Sequence, residues 1–350
     1  MPIRHTDLET AAASAGVNVH RPFPKERWIS SAPVFGGPLP AVCDWKFAAS
    51  QTTVATLPDA VLLSGLFPLV GDDLVVTGMH NDAEARVSAK PPRLEGVRES
   101  LGGPCFLLGG HPDNFWHFLY NFVLRLAALV AHPDPEVRDG ARILVDDALP
   151  SSFRPFLHLF GHDPARFLAI PSSRPVRVER LVVSELPFFR PHGRPRACRG
   201  AIALLRRHLP ADRPPRGRRI YLSRADARWR RVANEAEVAA FLESRGFETV
   251  LLSRMEPMAL VALMRAAEVV VGPSGANLGA ALFCPQDAAV IELSYEPMAR
   301  AYYFQGASSA GGLRHLKVVG RPEPSGEPSH RWAFHAPVPA LADALAFALG

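Results

Sequence analysis

The feature that most constrains this chain is a repeated alternation of short apolar strand patterns with helical ones. From Cys105 onward "CFLLGG", "ARILVDD" and "VERLVVSE" read as buried strands, and "NFWHFLYNFVLRLAALV" and "SSFRPFLHLFG" between them as helices. The passage "FFRPHGRPRACRG", rich in proline and arginine, breaks the pattern, and the helical "AIALLRRHL" leads on to "PADRPPRGR". The alternation then restarts with strand "RRIYLSR", a helix from Asn234 to about Arg245, strand "FETVLLS", helix "PMALVALMRAA", strand "EVVVG", helix "ANLGAALF" and strand "AAVIELS". A last apolar helix, "PALADALAFALG", closes the chain. Strands separated by helices form parallel sheets covered by those helices. Two such units joined at a proline-rich junction predict two α/β domains, 1–205 and 206–350, with a cleft between them. The last helix is a candidate to pack back on the first domain. Residues 1 to about 100 are Pro-rich and show only short strand-like runs such as "AVLLSG" and "DDLVVTG".

Composition narrows the class. A chain of 350 residues, 48% hydrophobic and 21% charged, can bury a core and is not a disordered sequence. The net charge of +5 and pI near 9.3 come almost wholly from arginine, whose fork of donors grips phosphate and carboxylate. An anionic partner fits this excess, and so does the base composition of a genome. No run of like charge and no aromatic-basic interleaving points to nucleic acid. Cys43, Cys105, Cys198 and Cys284 are widely spaced, without CxxC or Cys/His ligand spacing, so neither a disulfide framework nor a zinc site is expected. The start, "MPIRHTDLETAAASAG", lacks the apolar core of a signal peptide, and no segment reaches the length of a membrane span. A cytoplasmic location is expected, with peripheral association at the inner membrane face left open.

The stretch "EVVVGPSGANLGAALF", Glu268 to Phe283, runs a strand through a Gly-Pro-Ser-Gly turn into a small-residue helix. In an open parallel sheet ligands bind beyond the carboxyl ends of the strands, where helix N-termini offer free N–H groups. Gly272 and Gly275 permit close backbone approach, and Ser274 can cap the helix or donate to an oxygen. These are the parts of a phosphate cradle, and equally of a tight packing turn. About 50 residues upstream, "RRIYLSRADARWRRVANEAEV" sends a strand into a loop carrying Arg224, Arg228, Arg230 and Arg231. That loop should open on the same sheet edge, which suits a diphosphate. Arg224, at the strand end, is read as a ligand residue, and Asn234 with Glu237 as a capping box.

The helix from Asn114 carries a polar stripe of Asn114, His117, Asn121 and Arg125 at roughly 100° per residue, with aromatic and aliphatic residues elsewhere. Such a helix is buried. Its stripe must be hydrogen-bonded internally or line a cleft, and the cleft reading makes His117 a proton acceptor.

Together these segments resemble glycosyltransferase family 61. "NFWHFLYNFVLRL" resembles the family's Asn-aromatic-aromatic-His helix, "IYLSRADARWRRVANEAEVAAFLESRGFETV" its Ile-Tyr-(Ile/Leu)-Ser-Arg segment, and "AAEVVVGPSGANLGAALFCPQDAAVIEL" its Gly-x-His-Gly-Ala segment, from Gly109 to Leu293. The resemblance implies a GT-B-like pair of Rossmann-type domains and an inverting, metal-independent hexosyl- or pentosyltransferase. It implies a nucleotide-diphosphate sugar donor, UDP-linked, a glycan or glycoconjugate acceptor, a place in surface polysaccharide biosynthesis, and no cofactor. By position, Asn114 and His117 fall on the acceptor side. Ser223, Arg224, Arg231, Asn234 and Glu235 fall in the donor segment, and Gly272, Ser274, Gly275, Ala276, Asn277 and Glu292 at the nucleotide. Glu292, at a strand end, is a candidate acceptor for a ribose hydroxyl. Two departures stand out: Ser274 where the family often has His, and Asn121 where it has an acid. With that acid missing, Asp113 or His111 is a candidate base beside His117. Two rivals remain, a serine hydrolase using Ser274 and a non-catalytic nucleotide-sugar or polysaccharide-binding relative. Against the first, Ala276 stands where a nucleophile elbow has glycine.

Overall fold

A computed structural model describes residues 4–50, 52–63, 67–77, 97, 99–109, 114–171, 174–189, 196–212, 214–301 and 303–350. The chain forms two compact units, one of Met1–Glu26 with Ala49–Leu209, the other of Arg27–Ala48 with Pro210–Gly350. Both are α/β, each built on a parallel-rich sheet.

In the second unit five strands run parallel in the spatial order Phe247–Val250, Arg218–Leu222, Ala267–Pro273, Ala289–Tyr295, Arg314–Glu323. By chain position this is the order 2-1-3-4-5. Alternate residues of a strand face opposite sides. Val269, Val271, Ile291, Leu293, Leu316 and Val318 accordingly share one core with Val238 and Leu242 of helix Glu235–Glu243 and with Leu341 and Leu345 of helix Val338–Leu349. Each such side chain, fully buried, contributes about 2 kcal/mol of transfer free energy. The terminal helix packs on its own unit's sheet. Its apolar stripe is covered by neighbours it meets within the same unit.

The excursion 27–48 is invisible in the sequence pattern. Strand Glu26–Phe35 pairs in parallel with Arg314–Glu323, and Val42–Ser50 lies beyond it. Gln305, buried in helix Tyr303–Ala310, donates to the carbonyls of Ser30 and Cys43 at 2.9 and 2.8 Å, tying these strands to the unit.

The first unit departs from a purely parallel, Rossmann-type sheet. Phe167–Ile170, Arg142–Asp146, Ser100–Gly109 and Val176–Ser184 are parallel, but Val54–Leu63, Phe67–Val70 and Asp73–Val76 continue the sheet antiparallel. The connections among these last strands are too short for a crossover helix, so only hairpin pairing is open to them. Residues 115–130 form the expected buried helical rod, interrupted by a π turn at Phe118–Phe122 and a 3-10 turn at Val123–Arg125. Among the described residues no helix is long and apolar enough to cross a membrane.

Candidate active site

An order of 2-1-3-4-5 has its topological switch point between the first and third strands, here Arg218–Leu222 and Ala267–Pro273. Ligands of such sheets sit in the crevice beyond those carboxyl ends. The two residue groups singled out from sequence meet there. A Cβ added to Gly275 would stand 2.7 Å from Cζ of Arg224 and closer still to Nη1, so the guanidinium lies directly on the turn's backbone. A Cβ there would push the guanidinium aside. Gly272 is explained by packing instead: a Cβ there would crowd Leu278 at 3.1 Å and Leu222 at 3.3 Å.

Arg224 is 8% exposed, and its Nη2 donates to the Trp229 carbonyl at 3.1 Å, while its buried Nε has no partner. Burial and the neighbouring Arg230 pull its pKa down to about 10. Arg230 is half-buried, also with an unpartnered buried Nε. Its pKa is lowered by burial, against the opposing fields of Tyr295 and Glu292. Two guanidinium groups desolvated side by side repel, and their surplus donors are what an oxyanion would satisfy. The backbone of Arg230 takes φ 57° and its side chain is half-buried, whereas Arg231 is exposed and serves through its carbonyl, accepting from Phe334 N–H at 3.1 Å. The resemblance pointed to Arg231. No sequence signal separates the two, since a left-handed backbone at a non-glycine residue is set by the surrounding fold.

Ser274 and Glu292 lie beneath the turn, both fully buried. Ser274 Oγ donates to Glu292 Oε1 at 2.6 Å, and Glu292 Oε2 meets His315 Nε2 at 3.0 Å. His315 Nδ1 in turn stands 3.0 Å from Ser308 Oγ. Burial raises the Glu292 pKa, but Lys317 together with His315 and Ser274 outweighs it, and the carboxyl is held below its ordinary value. Burial lowers that of His315 despite Glu292. A carboxylate with both oxygens engaged and no exposure braces the turn and has nothing left for a ribose. The same bond disposes of the hydrolase reading, because Ser274 gives its proton to a carboxylate rather than to an imidazole.

A carboxylate with spare capacity sits one strand over. Glu235 Oε1 accepts from Tyr221 at 2.8 Å and from Ser223 at 2.6 Å, while its buried Oε2 has no partner. Ser223, Glu235, Leu251 and Arg254 line a pocket of about 840 Å³. Asn277 bridges the crevice floor, donating to the Ser223 carbonyl at 3.3 Å, and half-buried Ala276 opens the 3-10 helix Ala276–Phe283, where a regular helix was expected. The capping box is corrected as well. Asn234 Oδ1 accepts from Ala336 N–H at 2.9 Å, and its Nδ2 donates to the Ala336 carbonyl and to Glu237, so no helix N–H is capped by it.

In the first unit the polar stripe is satisfied mostly from within. Asn114 caps the rod, accepting from the N–H of Trp116 at 3.0 Å and His117 at 3.3 Å. Arg125, 1% exposed, donates to the Leu108 carbonyl at 2.8 Å and to Thr77 Oγ1 at 2.9 Å. Burial pulls its pKa down to about 9, opposed by Glu185. Asn121 bonds His117, which is half-buried. Asp113 and His111 lie outside the described residues.

The second unit is thus an α/β unit with Arg224 and Arg230 at its switch point. Residues 115–291, just over half of the 350-residue chain, match the family described as Glycosyltransferase 61. The chain belongs to glycosyltransferase family 61, whose members act on a sugar donor and an acceptor. No curated protein matches it.

Proposed function

We propose that this chain is a GT-B-like, inverting, metal-independent transferase that moves a hexosyl or pentosyl group from a UDP-linked sugar to a glycan acceptor in surface polysaccharide biosynthesis. One observation carries the reading: the Arg224 guanidinium seated on Gly275 at the switch point, with Arg230 beside it. The donor's diphosphate takes the surplus donors of both arginines and the N–H groups that open the Ala276 helix. The acceptor oxygen bonds to the anomeric carbon as the bond from that carbon to the diphosphate oxygen breaks. The acceptor's proton passes to a base on the acceptor side, and the departing diphosphate takes the bonding pair, its charge stabilised by the arginines. The 840 Å³ pocket is of ligand size and supports a place for the nucleoside, with Glu235 Oε2 accepting from a ribose hydroxyl.

Isothermal titration with UDP and a thermal-shift panel of nucleotide sugars test this, since a ligand of the folded state raises apparent stability. Micromolar UDP binding that falls with added salt is expected. Absence of binding by every nucleoside diphosphate would overturn the proposal. Loss of sugar transfer on adding chelator would remove its metal-independent part. Donor hydrolysis or transfer separates an enzyme from a non-catalytic relative.

A further inference from the structure

Asn121 sits in the π turn of the first unit's rod, 1% exposed, and the chemistry of two groups against its side chain fixes its orientation, whatever else it meets. The backbone N–H of Phe188 points at Oδ1 from 3.2 Å. A backbone N–H can only donate, so the atom facing it must be the amide oxygen, because the flipped amide would set donor against donor. Phe188 cannot swing away to allow the flip. Its ring is buried and packs edge-on against Trp116 at 5.1 Å and Tyr120 at 5.5 Å, in an aromatic cluster with the same rod. With Oδ1 so assigned, the atom 3.3 Å from His117 Nδ1 is Nδ2, an amide nitrogen that donates.

We infer that Asn121 holds His117 as the neutral Nε2–H tautomer, which makes the ring a hydrogen-bond donor and not the base of the reaction. The lone pair of a neutral imidazole resides on the nitrogen without hydrogen. That lone pair is spent on Asn121, and the other ring nitrogen carries N–H. Either the Nδ1–H tautomer or the imidazolium would aim a hydrogen at the Asn121 amide hydrogens. Asn121 is thus a positioning residue, and the His117 ring carries a hydrogen on Nε2 and no uncommitted lone pair. The consequence for catalysis rests on the transferase reading above, whereas the tautomer does not.

The test is a two-bond proton–nitrogen correlation spectrum of protein carrying ¹⁵N-histidine, at pH 8.5, with H117Q identifying the His117 signals. Nε2 protonated and Nδ1 bare is the expected result. An Nδ1–H ring, an even average of the two tautomers, or a ring still charged at that pH overturns the inference. Replacing the amide by a carboxylate, in N121D, should move the proton to Nδ1, and an unchanged tautomer there counts equally against it. Should N121D not fold, the wild-type spectrum decides alone. For the catalytic consequence, a glutamine can donate but cannot act as a base. H117Q should keep at least about a tenth of the turnover while H117A falls about 100-fold, the span of general acid–base effects. Equal losses would overturn the donor role. If no variant and no wild-type sample transfers sugar, the transferase reading fails while the spectrum still decides the tautomer.

Discussion

Both units carry buried arginines near the carboxyl edge of a parallel strand, and the two settings differ in what the guanidinium does. In the first unit Arg125 spends both terminal nitrogens on the protein, on Leu108 and Thr77. In the second, Arg224 makes one bond, from Nη2 to Trp229, so the two settings differ in their terminal nitrogens; the buried Nε is unpartnered in Arg125 as it is in Arg224 and Arg230. A buried polar group left unpaired costs about 1–3 kcal/mol, and under the proposed function the terminal nitrogens that Arg224 and Arg230 do not spend on the protein are the donors a diphosphate would satisfy. Paired donors mark architecture. Burial, charge and position on the sheet are similar in the two settings. Only the bonds of the terminal nitrogens separate them, which under the proposed function is the difference between a strut and a binding site.

The largest expected effect follows from the strut. Arg125→Ala removes a fully buried side chain with its bonds to the Leu108 carbonyl and to Thr77, and should destabilise the protein by about 3 kcal/mol or more. Urea unfolding measures it, with UDP affinity of the folded fraction unchanged. A loss under 1 kcal/mol would dissolve the contrast between the units. Arg224→Ala should do the reverse, weakening UDP about 10- to 100-fold, worth roughly 1.4–3 kcal/mol, with little loss of stability. Arg230→Ala is expected to cost about 10-fold and exposed Arg231→Ala less than about 2-fold by the same titration. If Arg231 proved the costlier of the two, the half-buried side chain would have been misassigned. Gly275→Ala should weaken UDP by up to about 10-fold, since its Cβ displaces a flexible guanidinium rather than backbone.

Periodicity made most of the second unit legible. Strand runs such as "EVVVG" and "AAVIELS" are buried on both faces, and continuous β-branched apolar residues announce that. The meeting of Arg224 with Gly275 was readable too, because consecutive parallel strands put their loops on one edge. Three things were not. Residues 27–48 join a distant strand by a pairing with no local signature. Arg230 differs from Arg231 only in a backbone angle. Glu292 sits at a strand end like a ribose ligand, and only its covering by Ser274 and His315 shows it to be a brace. The polar stripe of the rod was visible, but the sequence left open whether its partners came from protein or substrate, and Phe188, which settles Asn121, lies 67 residues away.

The smallest expected effect tests the brace under the crevice. Burial holds the His315 pKa below its ordinary 6.5, and Lys317 with His315 and Ser274 holds Glu292 below its ordinary 4.5. A group whose folded pKa is depressed, whether imidazole or carboxyl, binds more protons unfolded than folded over the interval between its two pKa values. Stability is therefore complete above pH 6.5, begins to fall below it as the unfolded imidazole takes up a proton, and falls further through the carboxylate range. His162 in the first unit, pulled down to about 4 by burial and by Arg166, gives the same sign. A single acid transition therefore cannot apportion the loss. The difference between wild type and His315→Gln can. Glutamine keeps a donor for Glu292 but does not titrate, so the variant's melting temperature should decline less between pH 7 and 5, while His162→Gln should flatten the curve without altering UDP affinity. Parallel curves for wild type and His315→Gln would mean that His315 is not held neutral beside Glu292, and the brace would be an ion pair.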